Sequence, residues 1–133
     1  MSAIDYVCVE QFYQFQKALH FNDHAVAKLI MSAPHAYMHK KLVKTVKHFE
    51  LTEWRAVVPE LLLVGLRAKF DQVAHCRAFL RSTRGLTLAE ASVSDRYFGI
   101  GMGINSDATK LTNEVNWGYN LLGKCLMSIR SDL

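Results

Sequence analysis

The stretch TEWRAVVPELLLVGLRAKF, Thr52 to Phe70, sets Trp54, Val57, Val58, Leu61, Leu62 and Leu66 at helical spacing. Thr52 stands where an N-cap belongs, with Glu53 just inside it. Pro59 falls within the run, where a missing N–H and a ring clash kink or break a helix. A stripe this long and this regular reads as an amphipathic helix rather than a strand.

Working outward, the same period recurs. Val9, Phe12, Tyr13, Phe15 and Leu19 predict a first helix, and Asp23 can cap a second that runs through Met31. Pro34 opens a third segment to about Phe49, within which Leu42, Val43 and Val46 leave a basic outer face in HKKLVKTVKH (His39 to His48). A short helix is expected over Ala74 to Arg81, and the last lies in VNWGYNLLGKCLMSIR (Val115 to Arg130). Between them the character changes: LTLAEASVSDRYFGIGMG (Leu86 to Gly103) alternates apolar positions with glycine punctuation and predicts short strands and turns. The expected fold class is therefore mainly α, a single domain over residues 1–133 with a small β element around residues 86–103.

Composition narrows the function classes. The chain has 133 residues, half of them hydrophobic and 21% charged, which describes one folded domain and excludes a disordered chain. The net charge of +4 suits an anionic ligand, but the basic residues are too dispersed to mark a nucleic-acid binder by charge alone. Three cysteines, Cys8, Cys76 and Cys125, form no CxxC and no disulfide framework, so reduced thiols and a cytoplasmic protein are expected. The longest apolar run, Leu61 to Leu66, is far too short to span a membrane, and no membrane partner is expected.

Chemistry-bearing patterns are sparse. His20 with His24, and His35 with His39, are four apart, yet neither pair has the Glu of a metalloprotease helix or a third ligand, so no metal is expected. No surrounding feature marks any cysteine as half of a Cys/His nucleophile pair. The glycines of FGIGMGIN (Phe98 to Asn105) miss the spacing of a phosphate loop, and no cofactor motif is legible. By spacing alone Glu10 is an acid in the first turn of a helix, favoured by the dipole, with Lys17 two turns later on the same face. Trp54 reads more readily as core than as a ligand platform. Trp117, Gly118, Tyr119 and Asn120 are different: flat rings, bare backbone and an amide stand where a helix start presents unpaired N–H groups, an arrangement expected of a ligand mouth.

These pieces, in this order, resemble the NADAR family, also called YbiA-like. The resemblance is carried by CVEQFYQFQKALHFND (Cys8 to Asp23), FELTEW (Phe49 to Trp54), RAKF (Arg67 to Phe70), FLRSTRGLTLAEASVSDRYFGIG (Phe79 to Gly101) and NWGYNLLGKCLMSIR (Asn116 to Arg130). It implies a mainly helical N-glycosidase acting on a ribosyl nucleotide or an ADP-ribose conjugate, riboflavin-pathway intermediates and ADP-ribosylated guanine in nucleic acid among them. It implies catalytic roles for Glu10 and Asp95, and substrate binding by Trp54, Asn120, Trp117, Phe98, Lys17 and Gly118. Phe98 stands where the family has Trp, and Val43-Lys44 where it has Gly-Arg. The family's upstream SNF segment is expected to be absent, which would leave a more open pocket or call for a wall supplied by a second subunit in a homodimer. The alternative expectation is a non-catalytic module that binds a nucleotide or ADP-ribose.

Overall fold

The computed structural model describes residues 4–133, and among them every regular element is helical. The helices are α1 (Val9–His20), α2 (His24–Ser32), α3 (Ala36–Val43), α4 (Leu51–Gln72), α5 (Ala74–Ser82), α6 (Ala108–Leu111) and α7 (Leu121–Ser131), with a 3-10 turn at Glu114–Asn116. The chain forms two compact units, Met1–Lys69 and Phe70–Leu133, and the boundary falls near the end of α4.

In the first unit α1 packs on α2 and α3, which also touch each other. Asp23 caps α2 as expected, its Oδ1 accepting from Val26 N at 3.2 Å, while its Oδ2 accepts from Lys47 N at 3.1 Å and so ties in the segment after α3. Those two backbone hydrogen bonds hold the Asp23 carboxyl below its ordinary range. A carboxyl depressed in the folded state adds stability above its unfolded pKa and loses it as pH falls through the folded value. Asp23→Ala is therefore expected to lower Tm at neutral pH and to flatten the acid side of the Tm-against-pH curve. An acid limb unchanged from wild type would show that these contacts carry no stability.

Three sequence expectations change here. The third helix ends at Val43, not near Phe49, because the Thr45 hydroxyl donates to Leu42 O at 2.6 Å and His48 takes a left-handed backbone conformation (φ 61°). Thr52 is inside α4; Glu50 does the capping, its two carboxylate oxygens accepting from Thr52 N at 3.0 Å and Glu53 N at 2.6 Å. Pro59 does not break α4, which is continuous across it. The buried face of α4, Trp54, Val58, Leu62, Gly65 and Leu66, outweighs the roughly 3 kcal/mol that an interior proline costs. A Cβ on Gly65 would fall 2.6 Å from the Phe12 ring, so a side chain there would force that ring to shift.

In the second unit α5 packs on α7, and Arg130 donates to Thr83 O at 2.7 Å at the end of α5. The β element expected around residues 86–103 is not formed; that segment is turns and bends. A strand points successive carbonyls in opposite directions. Here the carbonyls of residues 96 to 100 all turn toward the start of α7, where they accept from Tyr119, Leu121, Leu122, Asn120 and Gly118 N–H respectively, at 2.7 to 3.1 Å. The loop is bent by an Asx turn at Asp95 and by Gly101, which has φ +75°.

Candidate functional site

Glu10, Lys17 and Trp54 belong to the first unit. Glu10 is in the first turn of α1 and half-buried, and its Oε1 accepts from Gln14 Nε2 at 2.7 Å, one turn along the same helix face. Gln14 is 7% exposed, and its own Oε1 is buried with no hydrogen-bond partner among the described residues. Burial pushes the Lys17 ammonium below the ordinary lysine range, and the charge of Glu10 pulls it partly back. Lys17 Nζ lies 4.3 Å from the centre of the Phe49 ring. The outcome is a carboxylate fixed by an amide and backed by a partly desolvated cation, all on one face of α1.

Trp54 is a core residue. It is 2% exposed, its indole N–H donates to the Tyr13 hydroxyl at 2.9 Å, and its ring meets Tyr13 edge-on at 5.4 Å. Gln11 is also buried, at 2% exposure, and it links the two ends of the α1–α2 pair: Oε1 accepts from Val7 N at 2.7 Å and Nε2 donates to Ile30 O at 3.2 Å. Carbonyls in the last turn of a helix lack intrahelical partners, and this amide serves them.

Asp95, Phe98, Trp117, Gly118 and Asn120 belong to the second unit. Asp95 is half-buried, and its Oδ1 accepts from Tyr97 N at 2.9 Å and Phe98 N at 2.8 Å. Phe98 lies against Tyr97, whose ring stacks on Tyr119 at 5.6 Å. Trp117 donates its indole N–H to Leu111 O at 2.9 Å. Gly118 is needed by the backbone itself: a Cβ there would collide with the carbonyl oxygen and Cα of Arg96. Asn120 is 4% exposed in a left-handed conformation, its Nδ2 donating to Leu88 O at 2.9 Å and its Oδ1 accepting from Glu90 N at 3.0 Å.

The start of α7 thus differs from the open ligand mouth read from the sequence. The N–H groups of residues 118 to 122 are occupied by the 96–100 carbonyls, so what looked like unpaired donors is a seam that joins loop to helix. Beside this seam the unit holds a cleft of about 290 Å³ lined by Phe70, Phe79, Leu80, Leu88, Glu90 and Leu122 among others. None of the five residues named for this unit lines it, and apart from Thr83 and Glu90 its side chains are apolar.

Gln14 and Glu90 are side chains to which the sequence assigned no role. For Gln14 the available signal is the four-residue spacing from Glu10. Nothing local marks Glu90 as a cleft residue, because the chain reaches it through an irregular loop. Among the described residues no group of three or more His, Cys, Asp or Glu side chains could hold a metal ion, and His20 instead pairs with Glu53 at 2.9 Å. No helix among them is long and apolar enough to cross a membrane.

Comparison with known proteins agrees with the resemblance. The chain is 37% identical over 131 residues to N-glycosidase R617 of Acanthamoeba polyphaga mimivirus, covering 96% of this chain and 75% of that protein. It is 30% identical over 135 residues to Protein irg-1 of Caenorhabditis elegans, a match that spans 98% of this chain and 62% of the relative. An 80-residue stretch, 60% of the chain, is 32% identical to the riboflavin biosynthesis protein PYRR of Arabidopsis thaliana and covers 11% of it. The NADAR domain pattern matches residues 1–133 from end to end, and the chain belongs to the NADAR domain family.

Proposed function

We propose that the protein is an N-glycosidase that hydrolyses the bond between a base or amine nitrogen and the anomeric carbon of a ribosyl nucleotide or an ADP-ribose conjugate. The observation that carries this reading is the relation, across nearly the whole chain, to a protein named an N-glycosidase. Breaking that C–N bond leaves positive charge on the ribose carbon and its ring oxygen. A carboxylate facing that carbon stabilises it, and a second carboxylate takes a proton from the water whose oxygen adds there and returns that proton to the departing nitrogen, so the hydroxyl ends on the ribose and the proton on the free base. Glu10 and Asp95 are the carboxylates of this reading. Gln14 supports the role of Glu10, since an amide hydrogen bond fixes one carboxylate oxygen and leaves the other to act. Lys17 holds the phosphate of the substrate, Phe98 and Trp117 offer ring faces to the base, and Gly118 and Asn120 shape the loop that carries them.

The test is release of free base, followed by mass spectrometry, from a panel that includes a riboflavin-pathway ribosylamine phosphate and ADP-ribosylated guanosine. Release from either supports the reading. Tight binding of both with no release would replace the enzyme by a binding module. PYRR's name favours the first substrate.

Lys17→Met is expected to raise KM for a phosphate-bearing substrate about tenfold, because the ammonium that holds the phosphate is lost. With its pKa lowered by burial, Lys17 loses its charge at a lower pH than an ordinary lysine. The wild-type KM should therefore climb on the alkaline side earlier than that of a protein with an exposed lysine. An alkaline KM profile identical in wild type and Lys17→Met would remove the residue from the site.

A further inference from the structure

The first unit brings together a thiol and an imidazole that are 31 residues apart in sequence. Cys8 is the N-cap of α1, half-buried, with its Sγ accepting from Gln11 N at 3.4 Å. Facing it is His39 of α3, completely buried, with Nδ1 3.9 Å from that sulfur. The other ring nitrogen, Nε2, lies 2.6 Å from Ala33 O. A carbonyl oxygen only accepts, so Nε2 carries a hydrogen and the neutral ring keeps its lone pair on Nδ1, directed at the Cys8 thiol. The nucleophile belongs to a half-buried residue, the neutral base behind it is held in one tautomer, and a helix N–H already serves the sulfur.

We propose that Cys8 is a site of thiol modification by low-molecular-weight disulfides, with His39 as its general base. As Sγ attacks one sulfur of the disulfide, its proton passes to Nδ1; the S–S bond of the reagent breaks and its second half leaves as a thiolate, which takes the proton from the imidazolium. Cys8 is oxidised to a mixed disulfide and one thiol of the reagent is released, so the exchange balances without a further oxidant. The contrast with the other thiols is physical. Cys125 is buried, and burial pushes its thiol above the ordinary cysteine range, which disfavours the thiolate. Cys76 is half-buried like Cys8 and serves as the reference within the same molecule. The modified sulfur stands at the N-terminus of the helix whose first turn holds Glu10.

The experiment treats the fully reduced protein with oxidised glutathione, quenches with iodoacetamide, and reads each cysteine by peptide mass spectrometry. Cys8 should be glutathionylated about tenfold or more faster than Cys76, and dithiothreitol should reverse the modification. Equal or slower reaction at Cys8 overturns the proposal. In His39→Gln the amide can still donate to Ala33 O but offers no basic nitrogen, so the Cys8 rate should fall about tenfold while circular dichroism stays native. An unchanged rate in that folded variant overturns the role of His39. Should the variant not fold, wild-type rates in heavy water decide the same point: slowing at Cys8 but not at Cys76 supports proton transfer to the imidazole, and no slowing at Cys8 refutes it.

Discussion

Glu10→Gln and Asp95→Asn are each expected to lower kcat for base release by about a hundredfold or more while leaving the fold intact, as loss of a general base or of a charge-stabilising carboxylate does. Both changes preserve the local structure. In Glu10→Gln the amide carbonyl oxygen can still accept from Gln14 Nε2, and in Asp95→Asn the amide carbonyl oxygen can still accept from the Tyr97 and Phe98 N–H groups that form the turn. What disappears in each case is one negative charge. Melting temperatures within a few degrees of wild type, alongside the loss of turnover, separate chemistry from folding. A variant that keeps wild-type turnover would reduce its carboxylate to a structural part: a helix acid at Glu10, or a turn former at Asp95.

Asn120→Ala is expected to destabilise the protein by about 3 kcal/mol or more. The side chain removed is almost wholly buried, and its loss leaves Leu88 O without that donor and Glu90 N without that acceptor. Each orphaned backbone group costs about 1 to 3 kcal/mol, and alanine adds a further cost of about 1 kcal/mol in the left-handed conformation at φ 55°. Asn120→Gly relieves the backbone strain but not the lost hydrogen bonds, so it should recover only the smaller part. Denaturant unfolding of the two variants measures both contributions. A loss below about 1 kcal/mol for Asn120→Ala would mean that the loop carrying Glu90 does not depend on this amide. Because any activity of the alanine variant falls with its fold, a binding role for Asn120 must be read at temperatures where the variant is still native.

Helices whose evidence is local were legible in the sequence. The apolar period of α1, α2 and α4 and the cap at Asp23 are written in residues at most a few positions apart, and such patterns act before any tertiary contact forms. Boundaries were less legible, since capping was open to neighbours: Glu50 and Thr52 can both cap, and the carboxylate with two oxygens won. The family and the N-glycosidase relatives were legible too, through motifs spread over nearly the whole chain.

The sequence by itself determined that this chain is helical, which carboxylates it offers near its aromatic segments, and that Glu10 begins a helix with Lys17 on the same face. Tertiary structure decided what the glycines and amides are for. The alternation and glycines of residues 86–103 were compatible with a strand, but a strand needs a neighbouring strand to pair its N–H and C=O groups, and the carbonyls of 96–100 instead accept from the N–H groups at the start of α7. The same pairing turned an apparent row of free N–H donors at 118–122 into a closed seam, and it made Gly118 a requirement of backbone packing against Arg96. Trp54 and Asn120 followed the same logic, one committed to Tyr13 and the other to Leu88 and Glu90. Local pattern reports what a residue can donate, accept or bury. Which partner it meets depends on groups tens of residues away, and only the folded chain brings them within hydrogen-bonding reach.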